Sequence, residues 1–153
     1  MRLGHVHLKV SDLAAAERFY CEILGLQVHE RIGETFLFLT FGEAHHDFAL
    51  QEIHGATRSP SRQRSGEVPE LYHTAFEVSS SDELLGVLDK LKERGFSYAL
   101  VDHGISWAAY TEDPSGNGVE IYLDRRNAPG GVMRWGGRSK TLSERQIREA
   151  ANA

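Results

Sequence analysis

The stretch G-H-V-H-L-K-V at residues 4–10 returns as Y-H-T-A-F-E-V at residues 72–78. In both stretches apolar side chains alternate with polar ones, which is the period of a β-strand with one buried face. Each stretch leads into a helix cap, a run of apolar residues at helical spacing, and three further strand candidates. The chain is therefore predicted to contain two copies of a β-α-β-β-β unit.

The repeat sets the predicted boundaries along the chain. Residues 1–54 form the first module and residues 71–124 form the second. Residues 55–70 between them are polar and rich in arginine and serine, with two prolines as breakers, and predict a linker loop. Residues 125–153 lie beyond the repeat and predict a C-terminal loop followed by a short helix. One structural domain is expected overall.

The C-terminal extension carries two further features. The sequence T-L-S-E at residues 141–144 has the form of a capping box and predicts a helix that continues to Ala150. Trp135 lies earlier, in a glycine-rich stretch. Because tryptophan is most often buried for its area, we expect this ring to pack against the fold or a second subunit.

Composition narrows the class of protein. The chain has 153 residues, of which 41% are hydrophobic and 25% charged, as in an ordinary soluble globular domain. A formal net charge of -5 argues against a nucleic-acid partner. No apolar run reaches the length of a membrane span, and strand-like sequence begins at once without a signal peptide, so a cytoplasmic location is expected. The single cysteine, Cys21, cannot form an internal disulfide.

A carboxylate interrupts the last strand candidate of the second module. The stretch Y-T-E-D-P-S-G-N-G-V-E-I-Y at residues 110–122 joins two apolar runs through turn-forming residues and predicts a tight hairpin. On the second strand, Glu120 faces the side opposite to Val119 and Ile121. If that side is inward, the carboxylate needs a partner. The alternative is an ordinary edge strand with Glu120 in water.

Two such modules bury their sheets against each other, which brings repeat-equivalent positions to a shared centre. The predicted fold class is therefore α+β, an open, cupped, barrel-like arrangement of strands with the helices outside. His5 and His73 occupy equivalent positions at the start of each module, and Glu120 joins them. Two imidazoles and one carboxylate form the facial triad typical of non-haem Fe(II), and acceptable to Mn²⁺ or Zn²⁺. Each residue taken singly has an ordinary structural explanation, but together they predict a metal site.

Three segments carry a resemblance to a known family. They are G-H-V-H-L-K-V-S-D-L with F-Y-x-x-I-L-G-L, then L-Y-H-T-A-F-E-V, and finally D-P-S-G-N-G-V-E-I-Y. In this order they resemble the vicinal oxygen chelate superfamily, which includes glyoxalase I, fosfomycin and bleomycin resistance proteins and type I extradiol dioxygenases. The resemblance covers residues 1–124 and implies a divalent metal, a small-molecule substrate and a homodimer.

Finer features resemble the small catechol-cleaving extradiol members. They are H-H-D-F-A-L at residues 45–50, D-H-G-I-S at residues 102–106, and Tyr110 ten residues before the carboxylate. The resemblance implies acid/base or oxygen-stabilising roles for His46 and His103, and a hydrogen bond from Tyr110 to a substrate oxygen. It further implies Fe(II), an aromatic vicinal diol and O₂. Simpler explanations stay open: His46 lies in a loop, His103 caps a turn, and Tyr110 packs in the core.

Two other functions also stay open. A glyoxalase- or isomerase-type lyase uses the same ligands with a non-redox ion such as Mn²⁺, Zn²⁺ or Ni²⁺, and a metal-free drug-binding protein needs only an aromatic cleft, for which Trp107, Tyr110 and Tyr122 are candidates. Alignment of the repeats places Ala49 opposite Glu120, where glyoxalase I relatives usually carry a carboxylate. The resulting triad favours the dioxygenase. One difficulty is that on a regular strand His46 faces away from Ala49, unless it lies before the strand begins.

Overall fold

A computed structural model of the chain describes residues 1–58 and 70–152. Over these residues the fold is α+β, with one sheet of four strands and one of five, and neither sheet closes into a barrel. The chain divides into two compact units, of which the first includes the hairpin tip Asp113–Asn117. Most of the predicted linker, residues 59–69, lies outside the described residues.

The first unit contains a mixed sheet with the strand order β1-β4-β3-β2. Strand β1 is parallel to β4, while β4 pairs with β3 and β3 with β2 in antiparallel fashion. The elements are β1 (Val6–Val10), α1 (Leu13–Arg18), a π-helical turn (Phe19–Ile23), β2 (Gln27–Ile32), β3 (Phe36–Thr40) and β4 (Phe48–Glu52). The predicted β-α-β-β-β order is therefore confirmed in this unit.

Helix α1 begins as its sequence indicates, but the turn that follows it is wider than that of an ordinary helix. The Asp12 carboxylate caps the helix by accepting a hydrogen bond from the Ala15 N–H at 2.8 Å. After Arg18 the backbone becomes π-helical, and the consecutive side chains of Phe19 and Tyr20 are both buried, with 1% and 0% exposure. The wider turn thus buries two adjacent aromatic rings, which the spacing of an ordinary helix does not favour.

The hairpin tip is organised around one buried carboxylate. Asp113, 1% exposed, accepts hydrogen bonds from the Tyr20 hydroxyl at 3.1 Å and from both Ser115 N and Asn117 N at 2.8 Å. The Asn117 side-chain amide donates a fourth. Burial raises the pKa of Asp113, and the hydrogen bonds from Asn117, Ser115 and Tyr20 act in the opposite direction. The tight turn predicted from the sequence is confirmed, and its carboxylate has a structural role.

The second unit repeats the pattern and extends it. Its strand order is β5-β8-β7-β6-β9, with β5 parallel to β8 and the other pairs antiparallel. The elements are β5 (Thr74–Val78), α2 (Ser81–Glu93), β6 (Ala99–Asp102), β7 (Ser106–Glu112), β8 (Gly118–Asp124), β9 (Lys140–Thr141) and α3 (Glu144–Ala151). Helix α2 contacts β5 and β8, and its leucines at 84, 85, 88 and 91 are buried.

The register of the parallel strands confirms the internal repeat. His7 pairs with Ala49 in the first sheet, and Ala75 pairs with Glu120 in the second. The predicted ligand histidine stands two residues before the first member of each pair. Ala49 is therefore the structural equivalent of Glu120, as the sequence alignment of the repeats predicted.

The predicted capping box at residues 141–144 is wrong by two residues. Ser143 is the N-cap of α3: its hydroxyl accepts from Gln146 N at 3.4 Å, and the Gln146 side-chain oxygen accepts from Ser143 N at 2.9 Å. Thr141 instead lies in β9, where it pairs with Val101. Strand pairing places Thr141 three residues before Glu144, the first residue of α3, so it does not occupy the N-cap position.

Across residues 1–58 and 70–152, no helix combines the length and the apolar character that crossing a membrane requires.

Candidate active site

His73 and Glu120 meet in the second unit, as predicted. Strand β8 buries Val119 and Ile121 on one face and presents Glu120 on the other, where its side chain is 12% exposed. His73 immediately precedes β5, the parallel neighbour of β8. Its Nε2 atom lies 2.8 Å from Glu120 Oε2. Glu120 is therefore not an ordinary carboxylate in water.

The chemistry of this pair fits a divalent cation. Two ligand atoms bound at right angles to one ion, each at about 2.1 Å, are separated by roughly 3 Å. The Nε2 and Oε2 atoms are 2.8 Å apart, and a neutral imidazole and a carboxylate suit Fe(II), Mn²⁺ or Zn²⁺.

The orientation of the His73 ring is held by packing. Metal-binding histidines usually donate their second nitrogen to an acceptor, but His73 Nδ1 is buried with no hydrogen-bond partner within residues 1–58 and 70–152. The rings of Tyr72 and Tyr110 lie against it instead, with centroids 5.4 and 5.6 Å away.

A hydrogen-bonded chain leads from Glu120 to His103. The Tyr110 hydroxyl donates to Glu120 Oε1 at 2.8 Å and lies 2.9 Å from His103 Nε2. Because the phenol has one proton, which goes to the carboxylate, His103 Nε2 must carry a hydrogen and donate to the phenol oxygen. Burial, and then the hydrogen bond to Glu120, raise the pKa of Tyr110. Tyr110 therefore keeps its proton at neutral pH.

Two residues of the C-terminal extension complete the surroundings of His103. The Ser139 hydroxyl lies 2.9 Å from His103 Nδ1, and the Trp135 ring meets the imidazole edge-on with centroids 5.7 Å apart. Trp135 packs against the fold on this side and is 49% exposed, and its predicted contact with a second subunit stays a prediction. The glycines beside it leave one side of the ring open. Sequence reasoning missed Ser139, because nothing in the local pattern links residue 139 to a histidine 36 positions earlier.

His46 and His5 are neighbours in the first unit. Their ring centroids lie 4.3 Å apart, and the Phe38 ring lies 4.7 Å from that of His46. His46 precedes β4, which begins at Phe48, so the difficulty about its direction on a regular strand does not arise. Partial burial, followed by the nearby imidazoles of His5 and His45, lowers the pKa of His46. This residue is therefore neutral, and able to accept a proton, near neutral pH.

The structure thus places the predicted site residues in two groups. His73, Glu120, Tyr110 and His103 are connected in the second unit, while His5 and His46 are together in the first. Among residues 1–58 and 70–152 no cluster of three or more His, Cys, Asp or Glu side chains is arranged to hold a metal ion. Convergence of His5 with the other two ligands stays a prediction.

The sequence model of the Glyoxalase/Bleomycin resistance protein/Dioxygenase superfamily matches residues 2–121, which include most of both repeats and every predicted site residue. The chain belongs to this superfamily. The resemblance seen in the three sequence segments is therefore confirmed.

Relatives with named activities include two diol dioxygenases. The chain is 31% identical over 129 residues to biphenyl-2,3-diol 1,2-dioxygenase 2 of Rhodococcus globerulus, which covers 84% of this chain and 65% of the relative. It is 33% identical over 123 residues to catechol-2,3-dioxygenase of Bacillus subtilis, covering 80% of this chain and 41% of the relative. The chain thus spans less than two thirds of either dioxygenase.

A lyase and a solved structure are also similar. A probable lactoylglutathione lyase of Synechocystis is 25% identical over 130 residues, covering 79% of this chain and 94% of the relative. The crystal structure of a glyoxylase/bleomycin resistance protein/dioxygenase domain from Frankia sp. has a TM-score of 0.68 and 26% identity, and covers 82% of this chain and 98% of that one. This structure supports the fold.

Proposed function

We propose that this protein is an Fe(II)-dependent extradiol dioxygenase that opens the ring of a catechol-like vicinal diol with O₂. The observation that carries the proposal is the chain of hydrogen bonds from Glu120 through Tyr110 to His103, with His73 against the same carboxylate. The similarity to two diol dioxygenases, at 31% and 33% identity, supports it.

His5, His73 and Glu120 would hold the metal. When bound, a divalent ion lowers the pKa of a coordinated diol hydroxyl, and iron additionally supplies the redox chemistry that O₂ requires. Ala49, at the repeat position equivalent to Glu120, adds no fourth ligand. This set leaves coordination positions open for a diol and O₂.

The other site residues handle protons and orientation. His46 has a lowered pKa and is the base that accepts a proton from the diol. His103 presents an Nε2–H donor to the Tyr110 oxygen, and Tyr110 holds Glu120 by its second oxygen. To donate to a substrate oxygen, the Tyr110 hydroxyl turns its single proton from Glu120 towards that oxygen, while His103 still donates to the phenol oxygen. The pair of Tyr110 and His103 therefore orients a substrate oxygen and stabilises negative charge on it.

The first test is metal content after loss of one ligand. Glu120→Ala should abolish metal retention, measured by elemental analysis of protein purified without oxygen. Glu77→Ala is the matched control, because Glu77 is a carboxylate of β5 that accepts from Tyr122 at 3.0 Å. A Glu120→Ala variant that keeps both its metal and its activity refutes the ligand set.

O₂ consumption decides between the dioxygenase and a second candidate, a lyase or isomerase with a non-redox ion. The second candidate is favoured by the similarity to the Synechocystis lyase, which the chain matches over 94% of its length. Bound iron with O₂ uptake and a yellow ring-opened product from a catechol panel supports the dioxygenase. Bound zinc, nickel or manganese without O₂ uptake supports the lyase or isomerase.

A metal-free drug-binding role is the weakest alternative. It requires open aromatic faces, but the Arg125 guanidinium lies 3.9 Å above the Trp107 ring and covers one of its faces. The hydroxyls of Tyr110 and Tyr122 are both engaged with carboxylates. The homodimer and the cytoplasmic location stay predictions.

A further inference from the structure

A cavity of about 380 Å³ lies in the second unit beside His103. One wall is the turn that carries Asp102 and His103, and the other is the C-terminal extension from Gly130 to Lys140. The proposed mechanism uses His103 but leaves this cavity without a role.

The cavity is lined by unpaired positive charge. Arg134, Arg138 and Lys140 line it, and none of the three pairs with a carboxylate in the part of the chain that the structure describes. The one acidic lining residue, Asp102, already accepts a hydrogen bond from Gly104 N at 2.7 Å. Three cations against one engaged carboxylate make the cavity a site for an anion.

The wall formed by the extension is fixed in place. Val132 N donates to the Gly104 oxygen at 3.1 Å, and the backbone of Lys140 pairs with the backbone of Asp102 across β9 and β6. Gly131 packs so closely that a Cβ atom there would lie 1.7 Å from the Arg125 carbonyl oxygen. Backbone contacts therefore fix the part of the C-terminal extension that carries the cationic side chains.

The size and position of the cavity indicate what it holds. His103 lines it and lies two hydrogen bonds from Glu120, through Tyr110. Trp135 adds an open aromatic face to the wall. Since an apolar cavity of about 150 Å³ accepts benzene, a volume of about 380 Å³ accepts one ring and a short acidic group.

We propose that this cavity binds a carboxylate on the substrate, and that the natural substrate is a single-ring aromatic diol bearing an acidic side group. The inference rests on the proposed function. Arg134 and Arg138 hold the carboxylate, and Trp135 packs against the ring. The positive cavity then selects acidic diols over neutral ones of equal shape.

The experiment compares two substrates that differ only in charge, 3,4-dihydroxybenzoate and 3,4-dihydroxybenzamide. We expect kcat/KM for the acid to exceed that for the amide by about tenfold, since a charged hydrogen bond in a half-open cavity contributes on this order. In the Arg134→Gln/Arg138→Gln double variant the ratio should fall towards one. Arg145→Gln, an exposed arginine of α3 outside the cavity, should keep the parent ratio.

Binding without turnover separates failure of this inference from failure of the proposed function. Benzoate lacks the diol, so calorimetry with benzoate and benzamide tests the cavity even if neither diol is oxidised. Benzoate binding that is stronger than benzamide binding, and is lost in the double variant, supports the inference. Equal binding of the two probes, or cleavage of both diols at equal kcat/KM, overturns it. Absence of any O₂ uptake with benzoate binding intact refutes only the dioxygenase.

Discussion

Replacing Tyr110 with phenylalanine tests whether the hydrogen-bonded chain supports a metal site. The change removes only the hydroxyl that donates to Glu120 Oε1 at 2.8 Å, and keeps the ring that packs against His73 with centroids 5.6 Å apart. Glu120 keeps its contact with His73 but loses the donor that fixes its second oxygen. The carboxylate is then free to rotate away from the ligand position.

The expected loss follows from the geometry. A partner that orients a metal-binding carboxylate typically contributes 10- to 100-fold in affinity. We therefore expect the Kd for Mn²⁺ to rise about 10- to 100-fold in Tyr110→Phe. One hydrogen bond to a carboxylate is also lost, which should lower the free energy of unfolding by about 1.5 kcal/mol. For a domain of this size the melting temperature should fall by roughly 3–6 °C.

The assay is titration calorimetry with Mn²⁺, which is stable in air, on protein stripped of metal. Tyr122→Phe is the control, because its hydroxyl donates to Glu77 at 3.0 Å on the same pair of strands and the same atom is removed. We expect the control to bind Mn²⁺ as the parent does. Equal Kd values for the parent and both variants refute the idea that Tyr110 positions a ligand.

Three further changes test the fold around the site. Tyr20→Phe removes one of the four hydrogen bonds donated to buried Asp113 and should lower the free energy of unfolding by about 1–2 kcal/mol. An unchanged midpoint of urea unfolding contradicts this prediction. Gly131→Ala places a methyl group 1.7 Å from the Arg125 carbonyl oxygen. The free energy of unfolding should fall by about 1–3 kcal/mol, as measured by thermal melting. An unaltered melting curve argues against the close packing. Burial and a hydrogen-bonded carboxylate raise the pKa of Tyr98 from 10.0 to about 12. The contribution of Tyr98 to the free energy of unfolding is therefore present below pH 10 and is lost as the pH rises through 12. Tyr98→Phe should remove this fall in stability, and parallel stability curves from pH 9 to 12 contradict that.

The two sheets were predictable because the same sequence pattern occurs in both halves of the chain. Alternation of apolar residues around Val6 and Thr74 marks the first strand of each unit, and the register then follows from burying one face. The same alternation of side chains along a strand predicted that Glu120 lies on the face opposite to Val119 and Ile121. The helix ends were less predictable: the sequence predicted a capping box that begins at Thr141, but Thr141 pairs with Val101 in β9 and Ser143 is the cap.

The site divides in the same way. His73 and Glu120 were predictable as partners, because parallel strands that are neighbours in a sheet bring them together. The ring that Trp135 presents to His103, and the Ser139 hydroxyl on the other nitrogen, were not predictable. The extension carries no periodic pattern that points to β6, and its position depends on backbone contacts such as that of Gly131.

By itself, the sequence determined the repeated β-α-β-β-β units and the superfamily, and it predicted the types of the metal ligands, because apolar period and residue identity are local properties of the chain. Only the tertiary structure decided that Tyr110 joins Glu120 to His103, and that Arg134 and Arg138 line a cavity beside that histidine. These contacts join residues from separate elements. The physical reason is that hydrogen bonds and charge clusters depend on distances in space. The register of the strands and the position of the C-terminal extension determine these distances.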